Sequence, residues 1–91
     1  PDVDWAKIPS DRRGAFLQML IGATYRAIGK TYVQSRVEIN AAMAFDLACA
    51  ALKESIKNEP ANNQARILLD QCENERRQLA VVAVPAAFAT N

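Results

Sequence analysis

The stretch AAMAFDLACAAL, residues 41–52, constrains the fold of this chain most, because Asp46 is its single charged residue. On a helix with about 100° per residue, Asp46 projects on the same side as Lys53 and Lys57, with Ala42 and Ala50 between them. The opposite side is formed mostly of small side chains, which let another helix approach closely: Ala41, Ala44, Phe45, Ala48, Ala51, Leu52 and Ile56. The stretch therefore predicts a packed amphipathic helix.

Asp46 itself has two interpretations. In the first, it is solvated or paired on the polar side of this helix. In the second, it is a functional buried acid. An acid of that kind needs a titratable companion, and the sequence contains no histidine and no second carboxylate at the same angle. We therefore expect a surface role for Asp46.

The helix that contains this stretch is predicted over residues 36–58. Ser35 and Glu38 match a capping box, in which the serine hydroxyl and the glutamate carboxylate satisfy exposed amide donors at a helix start. Pro60 cannot extend the helix and disfavours helical geometry at the residue before it. The boundaries of this second helix are therefore defined at both ends.

An earlier helix is predicted over residues 11–30, because Ser10 is a suitable N-cap and Gly29 a suitable C-terminal cap. Its apolar arc covers about half of the circumference, which is wider than one packing surface needs. The arc contains Phe16, Leu17, Leu20, Ile21, Ala23, Thr24, Ala27 and Ile28, and the opposite face carries Arg12, Gln18, Arg26 and Lys30, interrupted by Gly22. We therefore expect this first helix to contact two neighbours.

A third helix is predicted over residues 63–79. Asn62 or Asn63 can cap its first turn. Its apolar residues follow helical spacing and its other side is charged, which is typical of a helix that packs on one face. The expected fold class is therefore all-α, a small three-helix bundle.

Composition and the chain ends complete the predicted organisation. The chain has 91 residues, 51% of them hydrophobic and 23% charged, which suits one compact domain with a thin core. Residues 1–9 contain two prolines and are predicted to form an extended N-terminal arm. Residues 10–80 form the helical bundle domain, and residues 81–91 form an apolar C-terminal tail. Both terminal segments are expected to pack on the bundle.

Cys49 and Cys72 lie in apolar helical patterns without CxxC spacing, so we expect buried free thiols. Such thiols and the absence of a signal peptide favour a soluble protein in the cytoplasm or another intracellular compartment. No apolar run approaches the ~20 residues of a membrane helix, so no membrane insertion is expected. The sequence has no phosphate-binding glycine loop, nucleophile elbow or metal-ligand spacing. We therefore expect no enzyme, no cofactor and no metal.

The segment 12–36 contains five basic residues and no acidic residue. Its cations and aromatic rings could contact phosphates and stack on bases, which makes a nucleic-acid-binding helical domain one alternative function. The residues concerned are Tyr25, Arg26, Lys30, Tyr32 and Arg36. The formal net charge of the whole chain is only +1, so this footprint is modest.

Ala48, Leu52 and Pro60, with the asparagine-rich turn and Ala65, resemble the end of one tetratricopeptide repeat and the start of the next. The resemblance covers about thirty residues and implies a helical scaffold that binds a peptide in a groove. Ser55 stands where the repeat usually has alanine. We interpret the likeness as one of helix-turn-helix geometry, and a peptide-binding scaffold fragment is a second alternative function.

The main functional expectation, to which these two are alternatives, rests on the large amount of apolar surface. A 91-residue chain has little interior in which to bury a first helix that is apolar on two sides together with an apolar tail. We therefore expect a non-catalytic module for protein-protein interaction or self-association, whose partner is another protein or a second copy. The predicted partner-binding residues are Leu17, Ile21, Tyr25 and Ile28 of the first helix, and Val82, Val84 and Phe88 of the tail.

Overall fold

The computed structural model describes residues 12–84. These residues form α1 (Arg13–Gln34), α2 (Glu38–Asn58) and α3 (Asn63–Arg77), and no strand occurs among them. The predicted all-α three-helix bundle is confirmed. The predicted arm, the N-cap at Ser10 and the tail from residue 85 onward lie outside the described residues.

The α2–α3 turn follows the prediction closely. Helix α2 ends at Asn58, two residues before Pro60. Asn62 caps α3, because its Oδ1 accepts a hydrogen bond from the amide of Ala65 at 3.2 Å. At its far end α3 stops at Arg77, two residues earlier than expected.

The prediction that Gly29 ends α1 is wrong, because the helix continues through it to Gln34. Gly29 is buried, and a Cβ atom built on it would lie 2.8 Å from the ring of Phe45 in α2. The role of this glycine is therefore close helix approach rather than capping. A glycine at a helix end and a glycine in a tight helix contact give the same sequence signal.

Backbone hydrogen bonds end α1 at the α1–α2 turn. The amide of Val37 donates to the carbonyl of Tyr32 at 3.0 Å, and the amide of Arg36 donates to the carbonyl of Val33 at 3.1 Å. Arg36 adopts φ 61°, so these three features form a Schellman motif. The predicted capping box at Ser35 is wrong, since Ser35 ends α1 and Val37 precedes α2 without a side-chain cap.

Helix α2 is the central element of the bundle, with α1 packed along one side and α3 along another. Helix α1 contacts both neighbours, as expected, although it meets α3 at only a few points. Ala42, expected on the polar line of α2, is fully buried. The alanine-rich composition of α2 follows from this position, because a helix between two others needs small side chains on both sides.

The α1–α2 seam is built from small residues at seven-residue spacing in both helices. In α1 they are Ala15, Gly22 and Gly29, and in α2 they are Ala41, Ala48 and Ser55, all of them buried. The two helices are antiparallel, since Ser55 Oγ donates to the carbonyl of Ala15 at 2.6 Å while Gly29 meets Phe45. Small side chains at this period bring the helix axes close together.

This seam corrects the predicted orientation of α1. The core lies on the side of Gly22 and Arg26, which we expected to face solvent, and part of the apolar arc faces away from α2. The charge of Arg26 is paired on this side of the helix. Its Nε and Nη2 donate hydrogen bonds to the carboxylate of Glu75 in α3 at 2.7 and 3.0 Å. The Arg26–Glu75 ion pair therefore closes the α1–α3 side of the bundle.

Candidate interaction surface

The outer face of α1, defined here by Leu17, Ile21 and Ile28, points away from the seam. At about 100° per residue these three side chains lie within roughly 40° of one another, and the centre of the face lies about 120° from Gly22 and about 140° from Ala15. Leu17 is 47% exposed and Ile28 is 40% exposed, and Ile21 is half-buried. No described element of the chain covers this apolar face.

The electrostatic character of the outer face is neutral. Residues 14–25 contain no charged side chain over about three helical turns. Thr24 lies on the same side of the helix, and its Oγ1 donates to the carbonyl of Leu20 at 2.9 Å. The threonine hydroxyl therefore has an intrahelical partner, and the face offers mainly apolar contact.

Tyr25 occupies a different position from the other predicted partner-binding residues of α1. Its ring is half-buried and packs against the core cluster, as does the ring of Tyr32. The two rings lie beside the outer face, where they border it and also belong to the core.

Arg76 holds the described part of the tail. Its Nη1 donates to the carbonyl of Val81 at 2.5 Å, and its Nη2 donates to the carbonyl of Val82 at 3.3 Å. The side chain of Val82 is 95% exposed, whereas Val84 is half-buried. Phe88, the largest predicted contact residue of the tail, lies outside the described residues.

A second apolar area, which the sequence analysis did not single out, surrounds the α1–α2 turn. We define this end patch by the apolar residues that line an open cavity of about 550 Å³ beside the tail, Val33, Val37, Ile39, Leu79 and Val81; Arg36, Glu38 and Asn40 also line this cavity. Val33, Val37 and Ile39 are between 38% and 43% exposed. The sequence does contain a signal for this patch. Three large aliphatic residues lie around one predicted turn, where polar residues are usual.

Some of the basic residues of segment 12–36 form ion pairs within the bundle. Arg26 is bound to Glu75, and that hydrogen bond, followed by the charge of the carboxylate, raises the pKa of Arg26 against the effect of burial. Arg12 makes a similar pair with Glu59 across the open end of the bundle, at 2.6 Å. Lys30 and Arg36 are exposed. The residues that were predicted to contact phosphates therefore include at least one arginine, Arg26, whose charge a carboxylate already neutralises.

The remaining predictions for titratable groups concern Asp46 and the two cysteines. Asp46 is half-exposed and paired with Arg76 at 2.9 Å, which confirms the expected surface role. Cys49 and Cys72 are free and buried, as expected. Within residues 12–84 no group of three or more His, Cys, Asp or Glu side chains is placed to hold a metal ion.

Two further findings bear on the class of protein. None of the three described helices combines the length and the apolar character needed to cross a bilayer. Comparison of the chain with protein-family models, with curated proteins and with solved structures finds no match. The function must therefore be inferred from the surfaces of the bundle itself.

Proposed function

We propose that this chain is a non-catalytic self-association module, in which the outer face of α1 packs against the same face of a second copy. One observation carries this proposal: Leu17, Ile21 and Ile28 form an apolar face on α1 that is turned about 120° from the seam. Exposed apolar side chains aligned along one helix are a usual feature of helix-pairing surfaces.

The neutrality of the outer face favours a second copy as the occupant. When two identical surfaces meet about a twofold axis, a face whose charges are all of one sign meets the same sign on the other copy and is repelled. Residues 14–25 carry no charge, and self-pairing therefore incurs no such penalty. A partner of opposite charge would instead favour a face rich in one sign of charge.

The spacing of the outer face also suits an antiparallel pair. Leu17 and Ile28 are separated by about 16 Å along the helix axis, and Ile21 and Thr24 lie between them. An axis midway along this segment places Leu17 of one copy opposite Ile28 of the other. A dimer of ordinary stability buries about 800 Å² on each partner, so flanking residues such as Leu20 must join the contact.

The oligomeric state in solution tests this proposal. Sedimentation equilibrium or light scattering over a concentration series is expected to give the mass of two chains at high concentration. Leu17→Asp and Ile28→Asp place a charge in the centre of the pair, so each is expected to weaken association by at least about tenfold while the helical circular dichroism is retained. Both side chains are already substantially exposed, so the monomer tolerates the change.

Ile67→Asp is the matched control. Ile67 is 57% exposed on α3, away from the outer face, and its substitution is expected to leave association unchanged. A chain that stays monomeric at every concentration contradicts the proposal. Equal loss of association in the Ile67 variant assigns the contact to another surface.

The alternatives make different predictions. A nucleic-acid-binding domain would show affinity for RNA or DNA that falls steeply with salt and weakens when Arg26 and Lys30 are neutralised. The Arg26–Glu75 pair reduces the support for that function. A peptide-binding scaffold would bind an extended or helical peptide as a monomer. If the monomer instead binds a different protein through Leu17 and Ile28, the outer face is still the contact surface but the partner is not a second copy.

A further inference from the structure

The two cysteines of the chain meet across the α2–α3 interface. The thiol of Cys72 in α3 lies 3.6 Å from the carbonyl oxygen of Phe45 in α2. In a helix that oxygen accepts the amide hydrogen of the residue four positions later, which is Cys49. The Cys72 sulfur therefore lies within one helical turn of Cys49.

The thiols differ in exposure and in acidity. Cys72 is fully buried, whereas Cys49 retains 8% of its surface. A hydrogen bond that Cys72 can donate to the Cys49 thiolate lowers the pKa of Cys49, and the positive charge of Lys53 acts in the same direction. Burial and the negative charges of Glu73 and Asp46 oppose this lowering. The same hydrogen bond and burial raise the pKa of Cys72. Cys49 is thus the more reachable and more acidic thiol, and Cys72 is its protonated neighbour.

We propose that Cys49 and Cys72 form a redox-active dithiol, which a hydroperoxide converts into an intrachain disulfide between α2 and α3. Cys49, the less deeply buried of the two thiols, acts as the attacking group, and Cys72 acts as the resolving group. A second thiol beside a cysteine can resolve its sulfenic acid as a disulfide.

The reaction has two steps. The Cys49 thiolate attacks the terminal oxygen of the hydroperoxide, so that a sulfur–oxygen bond forms, the oxygen–oxygen bond breaks and the alkoxide leaves with a proton. The Cys72 sulfur then attacks the Cys49 sulfenic acid. A sulfur–sulfur bond forms, and the hydroxyl group leaves as water with the Cys72 proton. The two sulfurs together lose two electrons, which reduce the peroxide.

The disulfide would join the ends of a segment that contains most of α3, the Pro60 turn and the last part of α2. Closing such a loop restricts the unfolded chain, so the oxidised protein should unfold less readily. The outer face of α1 lies away from this interface. The redox site is therefore independent of the proposed self-association, and either can fail without the other.

Intact-mass spectrometry of the full chain treated with hydrogen peroxide tests the proposal. The expected product is a single chain that is lighter by two hydrogen atoms, has lost both reactive thiols and regains them on reduction. Peptide mapping is expected to join the fragments that contain Cys49 and Cys72. Urea denaturation is expected to give a higher midpoint for the oxidised chain than for the reduced one.

Single variants separate the two roles. In Cys72→Ala, Cys49 is expected to accumulate as a sulfenic acid that a dimedone probe traps. In Cys49→Ala, the buried Cys72 is expected to react at least about tenfold more slowly. If either variant unfolds, the intact mass and the peptide map of the oxidised wild-type chain still test whether the disulfide forms. A sulfinic acid on Cys49, a disulfide between two chains, an unchanged dithiol or a lower urea midpoint overturns the proposal.

Discussion

The guanidinium of Arg76 donates from Nε to Oδ1 of Asp46 at 2.9 Å, which joins α3 to the polar side of α2. The same guanidinium donates to the carbonyls of Val81 and Val82. One side chain therefore connects the last helix, the central helix and the described part of the tail. The Arg76 side chain is only 16% exposed, whereas that of Asp46 is 50% exposed.

We expect Arg76→Ala to lower the free energy of unfolding by about 1–2 kcal/mol, because it removes one ion pair and leaves two tail carbonyls without a protein donor. Urea denaturation measures this change. Hydrogen exchange should show the backbone around Leu79 opening more readily than in the wild type.

Two substitutions serve as controls for Arg76. Asp46→Asn leaves the tail contacts in place and weakens a half-exposed pair, so it should cost less than about 1 kcal/mol. Arg77→Ala alters the exposed neighbouring arginine and should change stability least. If Asp46→Asn costs as much as Arg76→Ala, the tail carbonyls contribute nothing.

Asp46 shows what helical periodicity predicts well. Its angle relative to Lys53 placed it on a polar side, and the structure confirms that position. The partner could not be predicted, because Arg76 lies thirty residues later and the meeting of two helices depends on tertiary packing. The same reason explains Ala42, whose small side chain fits a polar line or a buried contact equally well.

Gly22→Ala and Gly29→Ala should each destabilise the bundle by about 1–3 kcal/mol. A Cβ atom on Gly22 would lie 2.6 Å from Cγ of Leu52, and one on Gly29 would lie 2.8 Å from the ring of Phe45. Both neighbours are buried, so the helices must separate or the side chains must leave their rotamers. Thermal or urea denaturation measures the loss.

Gly14→Ala is the matched control for these substitutions. A Cβ atom on Gly14 meets nothing within 4 Å, and alanine is the better helix former. This variant should therefore be neutral or gain up to about 1 kcal/mol. A gain in stability for Gly22→Ala of similar size would show that helix propensity exceeds packing at the seam.

The glycines of α1 are also where the sequence analysis failed. A helical wheel weighs positions by side-chain hydrophobicity, so Gly22 counted as a gap in a polar face and Gly29 as a helix end. In a closely packed pair, the missing side chain is itself the contact. Seven-residue spacing of small residues in both helices was the pattern that could have shown this.

Arg36→Gly should raise the free energy of unfolding by about 0.5–1 kcal/mol. Arg36 adopts φ 61°, a left-handed conformation that is costly for a residue with a Cβ atom and free of that cost for glycine. Lys30→Gly, in the exposed interior of α1, should instead lower it by about 1 kcal/mol. Parallel urea denaturation of the two variants distinguishes conformational relief at Arg36 from a general effect of glycine.

Ser55 provides the last test, because it combines a hydrogen bond with a small size. Its buried Oγ donates to the carbonyl of Ala15 at 2.6 Å, so Ser55→Ala should cost about 0.5–1.5 kcal/mol. Ser55→Val also removes the bond and adds volume to the seam, so it should cost about 1–3 kcal/mol more. Ser35→Ala should change the free energy of unfolding by less than about 0.5 kcal/mol, because no cap depends on that hydroxyl. Urea denaturation decides among them, and a valine variant as stable as the alanine variant would show that the seam has room to spare.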